Sequence, residues 1–165
     1  MPHGLTNLTF LVSMEITDCP KIVSLPEESL EGLSSLRSLS IENCHSLASQ
    51  PSRMQHATAL ERLTIMHCSN LVSLPNGLQH LSALKSLSIL SCTGLASLPE
   101  GLQFITTLQN LEIHDCPEVM ELPAWVGNLV SLRSLTISYC QNIKSLPERS
   151  PMTPRTPTFV HQRLS

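Results

Sequence analysis

The sequence predicts an α/β solenoid: about six coils stacked one on another, each giving one strand to a parallel sheet and a short helical or irregular segment to the opposite side. Three observations predict it. Six cysteines, Cys19, Cys44, Cys68, Cys92, Cys116 and Cys140, recur at intervals of 25, 24, 24, 24 and 24 residues. Seven residues after each comes proline, at Pro26, Pro51, Pro75, Pro99, Pro123 and Pro147. Apolar residues hold fixed places around every cysteine, so the unit reads L-x-x-L-x-I-x-x-C-x-x-L-x-x-L-P. One cysteine per equal interval marks a repeat, whereas disulfide-dense small domains space their cysteines unevenly.

Each part of the unit has its own period. Five and three residues before the cysteine stand Met14 and Ile16, Leu39 and Ile41, Leu63 and Ile65, Leu87 and Ile89, Leu111 and Ile113, Leu135 and Ile137. Their neighbours are polar, as Ser86 and Ser88 are around Leu87. Alternation of this kind predicts a short strand with one buried face, and β-branched Ile suits it. The cysteine follows where the chain must turn. A small apolar side chain with a weak S–H donor can be buried there and still meet a carbonyl. Thiols one coil apart run parallel, and a disulfide needs converging Cβ vectors, so free thiols are expected. From the cysteine to the proline an apolar residue comes every third place, which suits a turn or 3₁₀-like segment that proline then terminates. The return limb, such as Gly77–Leu84, is expected to hold a helical turn or an irregular segment. A single coil cannot hide its Leu/Ile row, but stacked coils share one core. Each such side chain, once buried, contributes roughly 1.5–3 kcal/mol.

This unit resembles the leucine-rich repeats of plant intracellular nucleotide-binding, leucine-rich-repeat (NBS-LRR) disease-resistance proteins. The segments that carry the resemblance are Leu60–Pro75, Leu84–Pro99, Leu108–Pro123 and Leu132–Pro147, and it extends over about Leu8 to Pro147. Plant extracellular repeats tend toward Asn at the cysteine place and a G-x-I-P ending, and this chain has neither. The resemblance implies a right-handed superhelical arc with the sheet on its concave face. It also implies recognition of a protein partner: a pathogen effector, a guarded host protein, or other domains of a receptor. The sequence has no G-x-x-x-x-G-K-[ST] phosphate cradle, so the resemblance is to the C-terminal repeat region and not to the nucleotide switch. A generic intracellular repeat adaptor, such as a ubiquitin-ligase substrate receptor, and a non-functional receptor fragment are the alternatives.

Composition narrows the function classes. Of the 165 residues 41% are hydrophobic but only 3% aromatic, so the core must be aliphatic. The formal charge of −3 offers no case for nucleic acid or an anionic membrane. No apolar run reaches the length of a membrane span, and no basic-then-apolar leader opens the chain; a cytoplasmic location is expected. No G-x-S-x-G elbow appears. His67 and His114 stand two coils apart with nothing to complete a metal shell. No enzyme activity, cofactor or metal is therefore expected.

Residues 1–147 are read as the repeat domain. Residues 148–165, with Pro151, Pro154 and Pro157 among Ser, Thr and Arg, are read as a flexible tail; a partial cap through Phe159, Val160 and Leu164 is the alternative. Gln50 replaces a core leucine and the limb Ser52–Ala57 is more polar, so that coil is expected to be irregular or loosely packed. One extra residue within Glu27–Ser35 is expected to bulge.

The outward strand positions are the candidate binding surface. Ten of the eighteen are Ser or Thr. The distinctive group is Arg62, Met66, Leu90, Asn110, Glu112 and His114, where two apolar side chains, expected to be exposed, stand beside charges in a hot-spot layout. Trp125 and Tyr139 are secondary candidates. Trp125 replaces Gly77 and Gly101 of neighbouring coils, which puts it on a convex or lateral edge or over the last coil.

Overall fold

The computed structural model describes residues 8–25, 30, 32–48, 54–74, 77–144 and 158–162. Seven strands form one parallel sheet in chain order: β1 (Ser13–Thr17), β2 (Ser38–Glu42), β3 (Arg62–Met66), β4 (Ser86–Leu90), β5 (Asn110–His114), β6 (Ser134–Ser138) and β7 (Thr158–Gln162). The register never slips between β1 and β6. Met14, Leu39, Leu63, Leu87, Leu111 and Leu135 stand side by side, as do the six isoleucines. The Leu/Ile frame holds the register, because a one-residue slip would turn each pair outward; it holds even from β1 to β2, which lie 25 residues apart and not 24.

The alternation predicted from L-x-I is present: β2, β4 and β6 each bury their second and fourth residues and leave the other three half-buried. From Leu30 to Leu122 the repeat leucines, isoleucines and cysteines form one continuous buried core. The first coil is less covered, since Leu11, Met14, Cys19 and Ile22 are only partly buried where Leu36, Leu39, Cys44 and Leu47 are fully so. No coil stands before them among the described residues.

Each strand from β1 to β6 ends in the same device. The residue before the cysteine adopts left-handed φ: Asp18 (52°), Asn43 (55°), His67 (53°), Ser91 (51°), Asp115 (51°) and Tyr139 (55°). This breaks the strand and turns the chain. Five of these residues donate their N–H to the last carbonyl of the next strand, as Ser91 does to His114 at 2.8 Å and Asp115 to Ser138 at 2.9 Å. The cysteine thiol then donates back to the carbonyl two residues earlier, at 3.2–3.5 Å in Cys19, Cys44, Cys68, Cys92, Cys116 and Cys140. Cys92, Cys116 and Cys140 also lie 3.8–3.9 Å from an isoleucine carbonyl of the preceding strand. All six thiols are free and all but Cys19 are buried. Burial, first among the causes, pushes the Cys44 thiol above its usual range. For Cys92 and Cys116 the neighbouring thiols Cys68 and Cys140 raise it first and burial adds to that.

After the cysteine comes a tight turn, closed by bonds such as Leu71 N–H to the Cys68 carbonyl at 3.1 Å. The return limb holds short 3₁₀ helices at Met54–His56, Leu78–His80, Glu100–Phe104 and Ala124–Asn128. Pro99 and Pro123 lead into the last two with extended backbone. Proline costs nothing there, because its missing N–H would have had no helical partner.

Two expectations change. The polar limb before the third coil is not loose over its described part: Met54 and Ala57 are fully buried and Met54–His56 makes a 3₁₀ turn. One long and one small apolar side chain suffice to fill that layer. Gln50 and most of the expected bulge in Glu27–Ser35 lie outside the described residues. The stretch read as a flexible tail is not unstructured throughout, since Thr158–Gln162 pairs in parallel with Ser134–Ser138 as β7. Backbone pairing along the open edge of β6 needs no Leu/Ile/Cys frame, so the repeat pattern could not announce it.

Candidate functional site

Register sorts the outward side chains of the sheet into three rows. The row nearest the strand ends runs Thr17, Glu42, Met66, Leu90, His114, Ser138, each beside the next. Met66, Leu90 and His114 are thus consecutive neighbours, roughly 5 Å per step. The middle row places Glu112 between Ser88 and Thr136, two residues before His114 on β5 and diagonal to Leu90. The row at the strand starts carries Arg62 and Asn110 with Ser86 between them. Four residues of extended chain, roughly 13 Å, separate it from the Met66 row. The six residues read as one group therefore divide. Met66, Leu90, His114 and Glu112 form a cluster, while Arg62 and Asn110 are exposed at the opposite edge of the strands.

Met66 and Leu90 are half-buried, not exposed as expected. Each is flanked laterally along its row, and those flanks cover the stem of a long side chain. They still present apolar surface in a strip otherwise rich in hydroxyls.

His114 is held on two sides. Its Nδ1 shares a hydrogen bond with the Ser138 hydroxyl at 2.7 Å. Its ring meets Tyr139 edge-on, with centroids 5.0 Å apart and planes at 66°. Positive φ at Tyr139 brings this about, because it brings the side chain that follows β6 back beside His114 of the sheet-face row. Tyr139 is 55% exposed, so its ring extends the apolar row Met66–Leu90–His114 by one coil. Glu112 accepts a hydrogen bond from the Ser88 hydroxyl at 3.2 Å, which fixes its carboxylate in the middle row. Reading the sequence by strand alternation missed Ser138 as a partner of His114 and treated Tyr139 as separate. The signal available was position: Tyr139 fills the place that Asp18, Asn43 and Asp115 hold in other coils, and those residue types favour left-handed backbone.

Trp125 lies elsewhere. It sits in the 3₁₀ helix Ala124–Asn128, half-buried against the core on the side away from the sheet. Its indole N–H has no acceptor among the described residues. Among the described residues no three His, Cys, Asp or Glu side chains are grouped to hold a metal, and no helix is long and apolar enough to cross a membrane.

Comparison with known proteins agrees with this geometry. The family model described as R13L1/DRL21 LRRs matches residues 28–92. The leucine-rich repeat domain of the type III effector XopL is similar in structure, with a TM-score of 0.68 and 31% identity over 79% of this chain and 46% of that one. A leucine-rich-repeat protein of Leptospira interrogans aligns with a TM-score of 0.42 and 17% identity over 89% of this chain and 51% of that one. The chain thus spans about half the length of these two solved structures. No curated protein matches it significantly. A family model that covers the second and third cysteine-centred coils, a structural neighbour with the same architecture and an unbroken parallel register make the chain a leucine-rich-repeat solenoid.

Proposed function

We propose that the chain is a protein-recognition module that engages its partner through the sheet face, with Met66, Leu90, His114 and Tyr139 as the anchor. The observation that carries this reading is their placement in one row, with the Tyr139 ring packed on His114. Aromatic and Met-rich clusters beside hydrogen-bonding groups are where binding energy concentrates. Glu112 borders the cluster, and Arg62 and Asn110 supply a polar rim four residues away along the strands. The repeat region of residues 1–147, extended by β7, is the unit that does this.

The finer reading is a part of a cytoplasmic plant disease-resistance receptor that senses a pathogen effector or a guarded host protein. The Cys-centred unit and the match to the R13L1/DRL21 repeats support it. The test is proximity labelling in plant tissue with the wild-type chain and a Met66→Asp/Leu90→Asp variant whose fold is checked by circular dichroism. Partners labelled by the wild type and lost from the folded variant are the expected result. Identical sets from both would refute the sheet-face reading.

A further inference from the structure

A second surface runs along the flank where each coil leaves its cysteine for the return limb. The residue four places after each cysteine is Val23, Ala48, Val72, Ala96, Met120 and Lys144 in turn. All six are exposed, with Val23 at 61%, Val72 at 57% and Met120 at 64%. The backbone beneath them is tied coil to coil: Ala48 N–H donates to the Val23 carbonyl at 3.1 Å and Ala96 N–H to the Val72 carbonyl at 3.2 Å. From Val23 to Met120 the result is an apolar ridge whose side chains alternate large and small at roughly 5 Å per coil, and Lys144 ends it.

Alternation makes the ridge complementary to its own reverse. A twofold axis between the third and fourth coils, the midpoint of the six, sets Val72 against the partner's Ala96 and Met120 against the partner's Ala48. Knobs then meet holes over the four central coils, while Val23 of the first coil meets the partner's Lys144. Moving the axis onto the third coil would put Val72 on Val72, leave Ala48 facing Ala96 and lose one coil of overlap. No uncompensated like charges oppose the interdigitated register. Glu118 and Glu121 of the fifth coil face the partner's second coil, whose flank carries His45. Lys144 faces the first coil, where Asp18 offsets Lys21. All of these side chains are exposed. We propose that this flank is a self-association surface, joining two copies antiparallel through Val72 and Ala96. A ridge one residue wide per coil is narrower than the roughly 800 Å² per partner of a standard interface, so the dimer is weak and concentration-dependent.

Sedimentation velocity on the full chain, from dilute to about 1 mM, tests it with three variants. Val72→Ala opens a gap and Ala96→Val creates a clash, so each weakens association by roughly three- to tenfold. Val72→Ala/Ala96→Val exchanges knob for hole and restores it to within about twofold. Both positions are exposed, and circular dichroism confirms folding. A wild type that stays monomeric throughout overturns the proposal. So does association indifferent to both single substitutions, which would place the contact at the open first coil, or a double variant as weak as the sum of the singles.

Discussion

The Tyr139 ring stands edge-on to His114 with centroids 5.0 Å apart, while its own backbone is held at φ 55°. A residue with a bulky side chain is disfavoured in this region, by roughly 1–2 kcal/mol, and the equivalent places in four other coils are Asp18, Asn43, His67 and Asp115. A cost kept at one coil and avoided at most others fits a surface role for the ring.

Replacing it separates the two effects. Tyr139→Asn keeps the turn in a residue that tolerates it and forfeits a ring contact worth about 0.5–1.5 kcal/mol. The expected outcome is a Tm unchanged or raised by about 2–4 °C, together with weaker capture of any sheet-face partner. A clearly lower Tm by calorimetry would mean the ring is there for stability.

Glu61 links two cations across three coils, lying 3.0 Å from Arg37 and 3.0 Å from Lys85. The hydrogen bond from Lys85, ahead of the charge of Lys85 and Arg37, holds its carboxyl below the ordinary 4.5. A lowered folded-state value means the contribution is present above the ordinary one and is lost as pH falls through the lowered one. The group is at the surface, so the effect is small and screened by salt. Melting curves of wild type and Glu61→Gln should differ slightly at neutral pH in low salt and converge below about pH 4.5. A gap that persists in acid would point to packing instead of charge.

Gly94 sits where the turn of the fourth coil presses on the third. A Cβ built there would overlap the carbonyl oxygen of Ser69. Backbone cannot yield as a flexible side chain can, so Gly94→Ala should cost about 1–3 kcal/mol. For a chain of this size that is a fall in Tm of roughly 2–4 °C per kcal/mol, read by differential scanning calorimetry. An unchanged Tm would show that the coils can slide apart locally.

The thiols should react in two classes. Cys44, Cys68, Cys92, Cys116 and Cys140 are at most 3% exposed, while Cys19 is partly open. Since the thiolate is the reactive species and burial opposes it, a native-state thiol titration should show one prompt group out of six. Cys19→Ala should abolish it. Several prompt groups would mean that the coils open on the timescale of the reagent.

Period and position together made most of the fold legible. Leu87 and Ile89 with serines around them could only be a one-sided strand, and Cys92 at the matching distance could only be the buried end of it. What period does not encode is direction at the turn and contact between coils. Ser91 and Tyr139 hide a left-handed backbone that Asp18 and Asn43 advertise, so the bond of His114 to Ser138 and its contact with Tyr139 were out of reach. Arg62 and Met66 share a strand face, and alternation alone could not show that they lie at opposite ends of it in separate clusters. β7 was legible only as the alternative cap through Phe159 and Val160, because Thr158–Gln162 joins the sheet by main-chain bonds, to which side-chain identity is nearly indifferent.

The unvarying register between β1 and β6 bears on how such a chain can change length. If the 24 residues from Leu84 to Thr107 were cut out, Arg62 would find Asn110 where Ser86 had been, and Met66 would find His114. Every main-chain bond would re-form with a new donor of the same geometry. Gain or loss of one whole coil thus reshuffles the recognition face like cards in a deck while leaving the framework intact, whereas a single residue inserted within a strand would turn its Leu/Ile pair outward.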